Sequence, residues 1–365
     1  ARSGGWIGFD RFMDGALYTP GLGYYAGGAR KFGAAGDFIT APELTPIFAQ
    51  TLAATAEEVM AASAPRIVEA GAGSGRLAAD LLLELERRGA LPETYRILEV
   101  SGELRARQRE TLARRAPGAL GRVDWLDCLP ERFEGFALAN EVLDALPVHL
   151  VRWGGAGGPP GAIFERGVVW REDAFAWDDR PARGRVLETA RRIADECALP
   201  PGYVSEIGLA AAAWTATWGG ILQRGALLLI DYGFPRREFY HPQRAAGTLM
   251  CHVRHRAHAD PFFLPGLQDI TAHVDFTAIA EAGSEAGLDL LGYTSQGVFL
   301  LNAGVTDILA RLNPDDPARY LPQSRAVQKL VSPAEMGDLF KVMALGRGIG
   351  ETLGAFSEGD RSVTL

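Results

Sequence analysis

A chain of 365 residues exceeds a typical single domain, so one α/β core with large additions, or two domains, is expected. Hydrophobic residues at 47% and charged residues at 22% are ordinary globular usage, which excludes a disordered chain, and no apolar run reaches the ~18 residues of a spanning helix. A net charge of −8 argues against a nucleic-acid binder, because neutralising phosphates takes a surplus of Lys and Arg; it suits small-molecule or cationic protein substrates.

In chain order, residues 12–25 and 36–44 are rich in Gly, Pro and Tyr and predict irregular backbone, either a lid beside a ligand or a surface loop packed by its tyrosines. Residues 45–60 predict a helix with Phe48, Leu52 and Val59 on one face. Arg66-Ile67-Val68 is a short strand, followed by Glu69-Ala70-Gly71-Ala72-Gly73-Ser74-Gly75 and a helix over 76–85. Further strands are expected at 95–99, 122–126, 135–140, 147–153 and 225–231, with a helix at 102–113. Strands alternating with helices imply an α/β fold with a doubly wound, mostly parallel sheet.

Residues 154–224 interrupt this rhythm with a Gly/Pro break, a strand-like 162–177 and helical runs near 185–197 and 207–218. The last third predicts a strand at 247–252, a helix at 275–286 and a hairpin over 288–301. The expected organisation is an N-terminal extension and lid loop (1–62), a core (63–153 and 225–300), an inserted α+β substrate subdomain (154–224) and a C-terminal α+β extension (301–365).

The glycine loop carries the chemistry. Glycine permits positive φ and leaves no Cβ against a ligand. A dinucleotide fingerprint needs a third glycine where Arg76 stands, and Glu69 beside the loop would repel a pyrophosphate while suiting an ammonium. S-adenosylmethionine carries that ammonium and no phosphate, so the expected cofactor ligands are Glu69, Gly71, Gly73 and Gly75. Glu99 lies 24 residues past Gly75 (99 − 75), where a carboxylate can accept both ribose hydroxyls. A cofactor lying across the first three strands also meets Trp125 and Leu126.

Asn140-Glu141-Val142-Leu143-Asp144 follows the fourth strand, at the carboxyl edge where ligands of such sheets sit. Asn140, Glu141 and Asp144 are the candidate catalytic residues, with Asn140 also beside the cofactor. Two carboxylates and an amide suit a nitrogen nucleophile such as a guanidinium. The alternative is that Asn140 and Asp144 cap a helix.

Cys128, Cys197 and Cys251 lack C-x-x-C spacing and read as reduced thiols of a cytosolic compartment. His252, His255 and His258 recur every third residue without supporting carboxylates, so no metal site is assigned. Residues 268–276 form a polar wall in which Thr271 or Asp275 can cap the following helix.

Several segments together resemble the MidA-like family. They are Leu17-Tyr18 with Gly23-Tyr24-Tyr25, Gly36-Asp37-Phe38-Ile39-Thr40-Ala41-Pro42-Glu43, the glycine loop, Asn140 to Pro147, Ile230-Asp231-Tyr232-Gly233-Phe234, Gly247-Thr248-Leu249, and Gln268-Asp269-Ile270-Thr271-Ala272-His273-Val274-Asp275-Phe276. In mitochondria the family's members are arginine methyltransferases that act as assembly factors of respiratory complex I. The resemblance implies an S-adenosylmethionine-dependent methyltransferase fold, with Asp37, Phe38 and Thr40 near the cofactor and a protein arginine, by likeness on a complex I subunit, as acceptor. Rival readings are an assembly factor that binds the cofactor without transfer, a small-molecule methyltransferase and a nicotinamide enzyme. A protein partner without nucleic acid or membrane insertion is expected, and a homodimer is allowed. The Ala-, Arg- and Gly-rich composition points to a bacterial, cytoplasmic protein; a mitochondrial one would need a presequence upstream of Ala1.

Overall fold

The computed structural model describes residues 5–26, 40–155, 161–254, 256–350 and 352–365; Asp37, Phe38 and His255 lie outside them. Along the chain come β1 (Trp6–Gly8), α1 (Phe9–Tyr18), α2 (Ala41–Leu44), α3 (Pro46–Ala62), β2 (Arg66–Ala70), α4 (Arg76–Arg88), β3 (Thr94–Leu98), α5 (Gly102–Arg115), β4 (Val123–Leu126) and β5 (Phe133–Asn140). Then follow β6 (His149–Trp153), β7 (Ile163–Arg171), β8 (Ala174–Pro181), α6 (Gly184–Glu196), β9 (Tyr203–Ile207), α7 (Leu209–Ile221) and β10 (Leu222–Phe234). The remainder holds α8 (Arg236–Phe239), β11 (Met250–Val253), β12 (Arg256–His258), β13 (Asp269–Thr271), β14 (Val274–Asp275), α9 (Phe276–Glu285), β15 (Asp289–Ser295), α10 (Gln296–Asn302), α11 (Val305–Leu309), α12 (Pro317–Val331), α13 (Met336–Leu339) and β16 (Phe340–Arg347).

Two compact units result, one from residues 31–142, 215–232 and 280–365, the other from 1–30, 143–214 and 233–279. The first is built on a sheet in the order β15-β16-β10-β5-β2-β3-β4. β10, β5, β2, β3 and β4 run parallel, while β16 is antiparallel to both β10 and β15. Its central strands are buried on both faces, which is why Ala226-Leu227-Leu228-Leu229-Ile230 reads as one apolar run. Phe48, Leu52 and Val59 of α3 and Leu77, Leu81 and Leu85 of α4 join Ile67, Phe136 and Leu228 in the core. α4 stops at Gly89, whose φ of +74° suits the left-handed cap.

The second unit holds an antiparallel sheet in the order β1-β7-β6-β9, with β8 on β7, and a small sheet β12-β11-β13. Val186, Ala190 and Ile193 of α6 pack with Trp153, Tyr203 and Tyr240.

Several expectations are corrected. Residues 9–18 form α1, because Phe9, Phe12, Met13, Ala16 and Leu17 make an apolar helical face that outweighs the turn-prone residues after it. The 147–153 strand lies in the antiparallel sheet rather than the core, consistent with its half-exposed His149 and Arg152. The 288–301 hairpin is β15 followed by α10; a continuous apolar run does not reveal its period, and β15 pairs instead with β16. Residues 301–365 therefore supply a core strand, and residues 233–279 group with the inserted segment.

Two glycines lock the parallel strands together. Gly135 (φ +134°) and Gly225 (φ +131°) are register partners; a Cβ on Gly135 would stand 2.2 Å from the Arg66 carbonyl oxygen, and one on Gly225 2.0 Å from that of Gly135. Gly135→Ala is expected to cost roughly 3 kcal/mol of stability, read from urea unfolding midpoints; an unchanged midpoint would refute this close packing.

Candidate cofactor site and acceptor turn

β2 ends at Ala70 in the middle of the parallel set, and the chain turns through Gly71 (φ +66°), Gly73 (φ +51°) and Gly75 (φ +80°) into α4. All three are left-handed, so the loop needs glycine for conformation as well as for space. A Cβ on Gly71 would lie 2.9 Å from Val142, and one on Gly75 3.0 Å from Gln108 Cα. The Gly71 N–H donates to the Leu98 carbonyl at 3.2 Å, holding the loop over β3.

Glu69 is 2% exposed, and its Oε2 accepts from the Tyr95 hydroxyl at 2.7 Å. Burial raises its pKa to about 7, against the opposing effect of the Tyr95 hydrogen bond and with a smaller push from Glu99. In the structure Glu69 thus ties β2 to β3 beneath the loop.

Glu99 sits just past β3 and is 8% exposed. One carboxylate oxygen accepts from the Ser101 N–H at 2.9 Å and the other from Gln108 Nε2 at 3.1 Å. Burial raises its pKa, although these hydrogen bonds and Arg105 act the other way. Each oxygen keeps a second lone pair for a further donor.

Gln108, which no sequence motif marks, joins the site's parts. Its Nε2 also donates to the Gly73 carbonyl at 3.1 Å, and its Oε1 accepts from Trp125 Nε1 at 2.8 Å. It is fully buried within an arginine-rich helix, which was the available signal. Trp125 and Leu126 are half-buried at the end of β4, and Arg105 binds the carbonyls of Glu99 and Leu126. Thr40 precedes α2, whose Glu43 accepts from the Ser74 hydroxyl of the loop.

No helix follows β5, so the capping alternative fails for Asn140 and Asp144. The backbone turns at Glu141, a non-glycine residue with φ +53°. Asp231, 1% exposed, accepts from the Val142 N–H at 3.2 Å, and the Glu141 N–H donates to the Ile230 carbonyl at 2.9 Å. Such strain persists only where neighbours over-determine it, and it clusters at functional positions. Asn140 Nδ2 donates to Glu141 Oε1 at 3.1 Å, while its Oδ1 is buried without a hydrogen-bond partner. A positive-φ glycine cradle and an orphaned amide oxygen beside it fit a ligand rich in donors. Asn140 and Glu141 belong to the first unit and Asp144 to the second.

In the second unit, Asp144 is buried and its carbonyl accepts from the Ala272 N–H at 3.0 Å. Tyr18 and Tyr25 stack at 5.5 Å; Tyr18 donates to the Ala145 carbonyl and Tyr25 to Asp269, each at 2.9 Å. Burial first, then Asp269, holds the Tyr25 phenol well above its ordinary pKa. Asp275 does cap α9, accepting from the Ala278 N–H at 3.2 Å. Gly247-Thr248-Leu249 wraps buried Glu206, whose carboxylate accepts from the Thr248 and Leu249 N–H groups at 2.9 Å.

His252 lies opposite Ala257 and His258 opposite Cys251 in the β11–β12 pair. A different group, Asp10, His149 and Glu165, gathers in the second unit; His149 Nδ1 is 2.8 Å from Glu165 Oε1 and 3.7 Å from Asp10 Oδ1. Burial alone would lower the His149 pKa, but the hydrogen bond to Glu165 and the charges of Asp10 and Glu165 raise it.

The family model for S-adenosyl-L-methionine-dependent methyltransferases matches residues 47–294, and the chain belongs to this family. A methyltransferase-type protein from Burkholderia thailandensis, solved with S-adenosyl-homocysteine bound, is 56% identical with a TM-score of 0.95, covering 100% of this chain and 94% of that one. The mitochondrial protein arginine methyltransferase NDUFAF7 of Danio rerio is 28% identical over 93% of this chain and 83% of its own length; that of Homo sapiens is 26% identical over 94% and 81%. The chain is thus a MidA-like, S-adenosylmethionine-dependent methyltransferase. Among the described residues no helix is long and apolar enough to cross a membrane.

Because folded Glu69 keeps its proton up to about pH 7 and an unfolded glutamate only to about 4.5, the folded state binds the extra proton between those values. Its contribution is full below the lower value and is lost as pH rises through the upper one. In cofactor-free protein, the stability difference between wild type and Glu69→Gln should shift against wild type by roughly 3 kcal/mol from pH 4.5 to 8. Urea unfolding of both proteins measures it, and a pH-independent difference would contradict the buried-acid assignment.

Proposed function

We propose that this protein methylates a nitrogen of an arginine side chain on a partner protein, by likeness to its mitochondrial relatives a subunit of a respiratory complex I-type assembly. The observation that carries this reading is Glu141, held at positive φ at the carboxyl end of β5 by Asp231 and hydrogen-bonded to Asn140. The relatives' printed name, protein arginine methyltransferase, supports the acceptor class.

The cofactor ligands in this reading are Gly71, Gly73 and Gly75 at its amino-acid end, with Glu69 below them, Glu99 at the ribose, and Trp125, Leu126 and Asn140 around the base and sulfonium. By likeness to the family, Asp37, Phe38 and Thr40 are further candidate ligands of the cofactor. When bound, S-adenosylmethionine would supply a sulfonium methyl group for in-line transfer to a nucleophile, with the neutral thioether as leaving group. The protein's part is alignment and exclusion of water rather than covalent chemistry. The Glu141 carboxylate accepts two N–H groups of a guanidinium fork, which fixes the plane of the attacking nitrogen. It then takes the proton that nitrogen loses.

Gly73→Val places a β-branched residue at φ +51° and fills the cradle, so affinity for S-adenosyl-homocysteine should fall more than about 100-fold in calorimetry, with circular dichroism unchanged. Unaltered affinity would sink the loop assignment. Radiolabelled cofactor incubated with lysate from a strain lacking the gene should label a protein band, and mass spectrometry should place the methyl group on arginine. Glu141→Gln should cut labelling by roughly 10²-fold or more while S-adenosyl-homocysteine binding stays within threefold. Labelling that survives this change removes Glu141 from the mechanism, and a labelled small molecule in place of protein refutes the acceptor class.

A further inference from the structure

The arginines of α5 fall into two groups. Arg105 binds Glu99, Leu126 and Asp127, and Arg109 lies over the Trp125 ring at 4.4 Å. Arg107, Thr111, Arg114 and Arg115 instead recur at i, i+4, i+7 and i+8, which is one helical face. That face lines a cleft of roughly 310 Å³ together with Glu43, Ser74 and Arg76. In a chain of net charge −8, four guanidiniums against one carboxylate around a single cleft is a local reversal of sign.

Their partners do not use up this charge. Arg115 pairs with Asp80 at 2.6 Å, and Arg114, whose side chain is 63% exposed, has a loose contact with Glu110 at 3.3 Å. Arg76 donates Nη1 to the Glu43 carbonyl at 3.0 Å and pairs with the Glu43 carboxylate at 3.5 Å, while its Nε is buried without a hydrogen-bond partner and Asp80 Oδ2 is 3.9 Å away. Arg107 is half-buried and makes no hydrogen bond or ion pair with the described residues. Buried Thr111 adds a hydroxyl-bearing side chain to the lining. Crowding like charges costs Coulomb energy that water only partly screens, and a multivalent oxyanion offsets it. Guanidinium forks match the oxygen spacing of phosphate in particular.

We propose that this cleft binds a small phosphate-bearing molecule. The cofactor has no phosphate, so the proposed ligand is a second molecule, and the proposal does not rest on the acceptor assignment. It adjoins the cofactor loop through Ser74, whose hydroxyl donates to Glu43, and through Gln108, the neighbour of Arg107 in α5.

Calorimetric titration of the whole chain with pyrophosphate, ADP and citrate tests the proposal. Pyrophosphate and ADP should each bind saturably in the sub-millimolar range, citrate at least tenfold more weakly. The double substitution Arg107→Ala with Arg114→Ala should weaken both phosphate ligands at least tenfold while S-adenosyl-homocysteine affinity stays within twofold, which also reports an intact fold. Arg325→Ala, on α12 outside the cleft, controls for loss of one surface charge. Absence of saturable phosphate binding, citrate binding as tightly as pyrophosphate, or an equal loss in Arg325→Ala would each overturn the proposal.

Discussion

The parallel alignment of β10, β5, β2, β3 and β4 is the constraint from which the rest of the methyltransferase unit follows. Parallel strands send all their carboxyl ends to one edge, so the glycine loop after β2, Glu99 after β3, Trp125 in β4 and Asn140 at the end of β5 converge without any further device. Gln108 then ties three of these four together, through Gly73, Glu99 and Trp125. A backbone forced into left-handed conformations at 71, 73, 75 and 141 is tolerable because this sheet and its helices fix both ends of each turn.

Buried carboxylates in the two units show the cost of desolvation and three ways of meeting it. Glu206, on β9 of the second unit, collects backbone N–H groups of Thr248 and Leu249 from a distant segment of the chain. Asp231 takes the N–H groups of Val142 and Tyr232 and so shapes the turn at Glu141. Glu69 has a single tyrosine hydroxyl and remains near neutrality. A buried acid left so lightly compensated is poised to respond when a cation arrives beside it, whereas the other two are held in place by the backbone they hold.

The same contrast explains what was legible in the chain. Glu69 to Gly75 could be read because its chemistry is local: strand, turn and helix are contiguous, and every glycine in it has a conformational reason. Gln108 could not, since a mid-helix glutamine becomes a hub only when β3, β4 and the loop stack beside it. The Tyr25–Asp269 hydrogen bond joins residues 244 apart, so two segments that separately resemble the MidA-like family are halves of one part-buried contact. The pairing of the 288–301 stretch is not legible locally, because its partner strand, β16, begins 45 residues after β15 ends (340 − 295).

Sequence alone determined the parallel core, the glycine-rich turn after β2 and the acid that follows β3, because hydrophobic period, glycine spacing and strand-to-strand distance are local or nearly local properties of a chain. Tertiary structure decided which strands share a sheet, that the tail completes the core, that Glu141 carries backbone strain, and that four arginines surround one cleft. Those outcomes depend on pairing between distant segments, and the free energy of such pairing is not written in the periodicity of either partner.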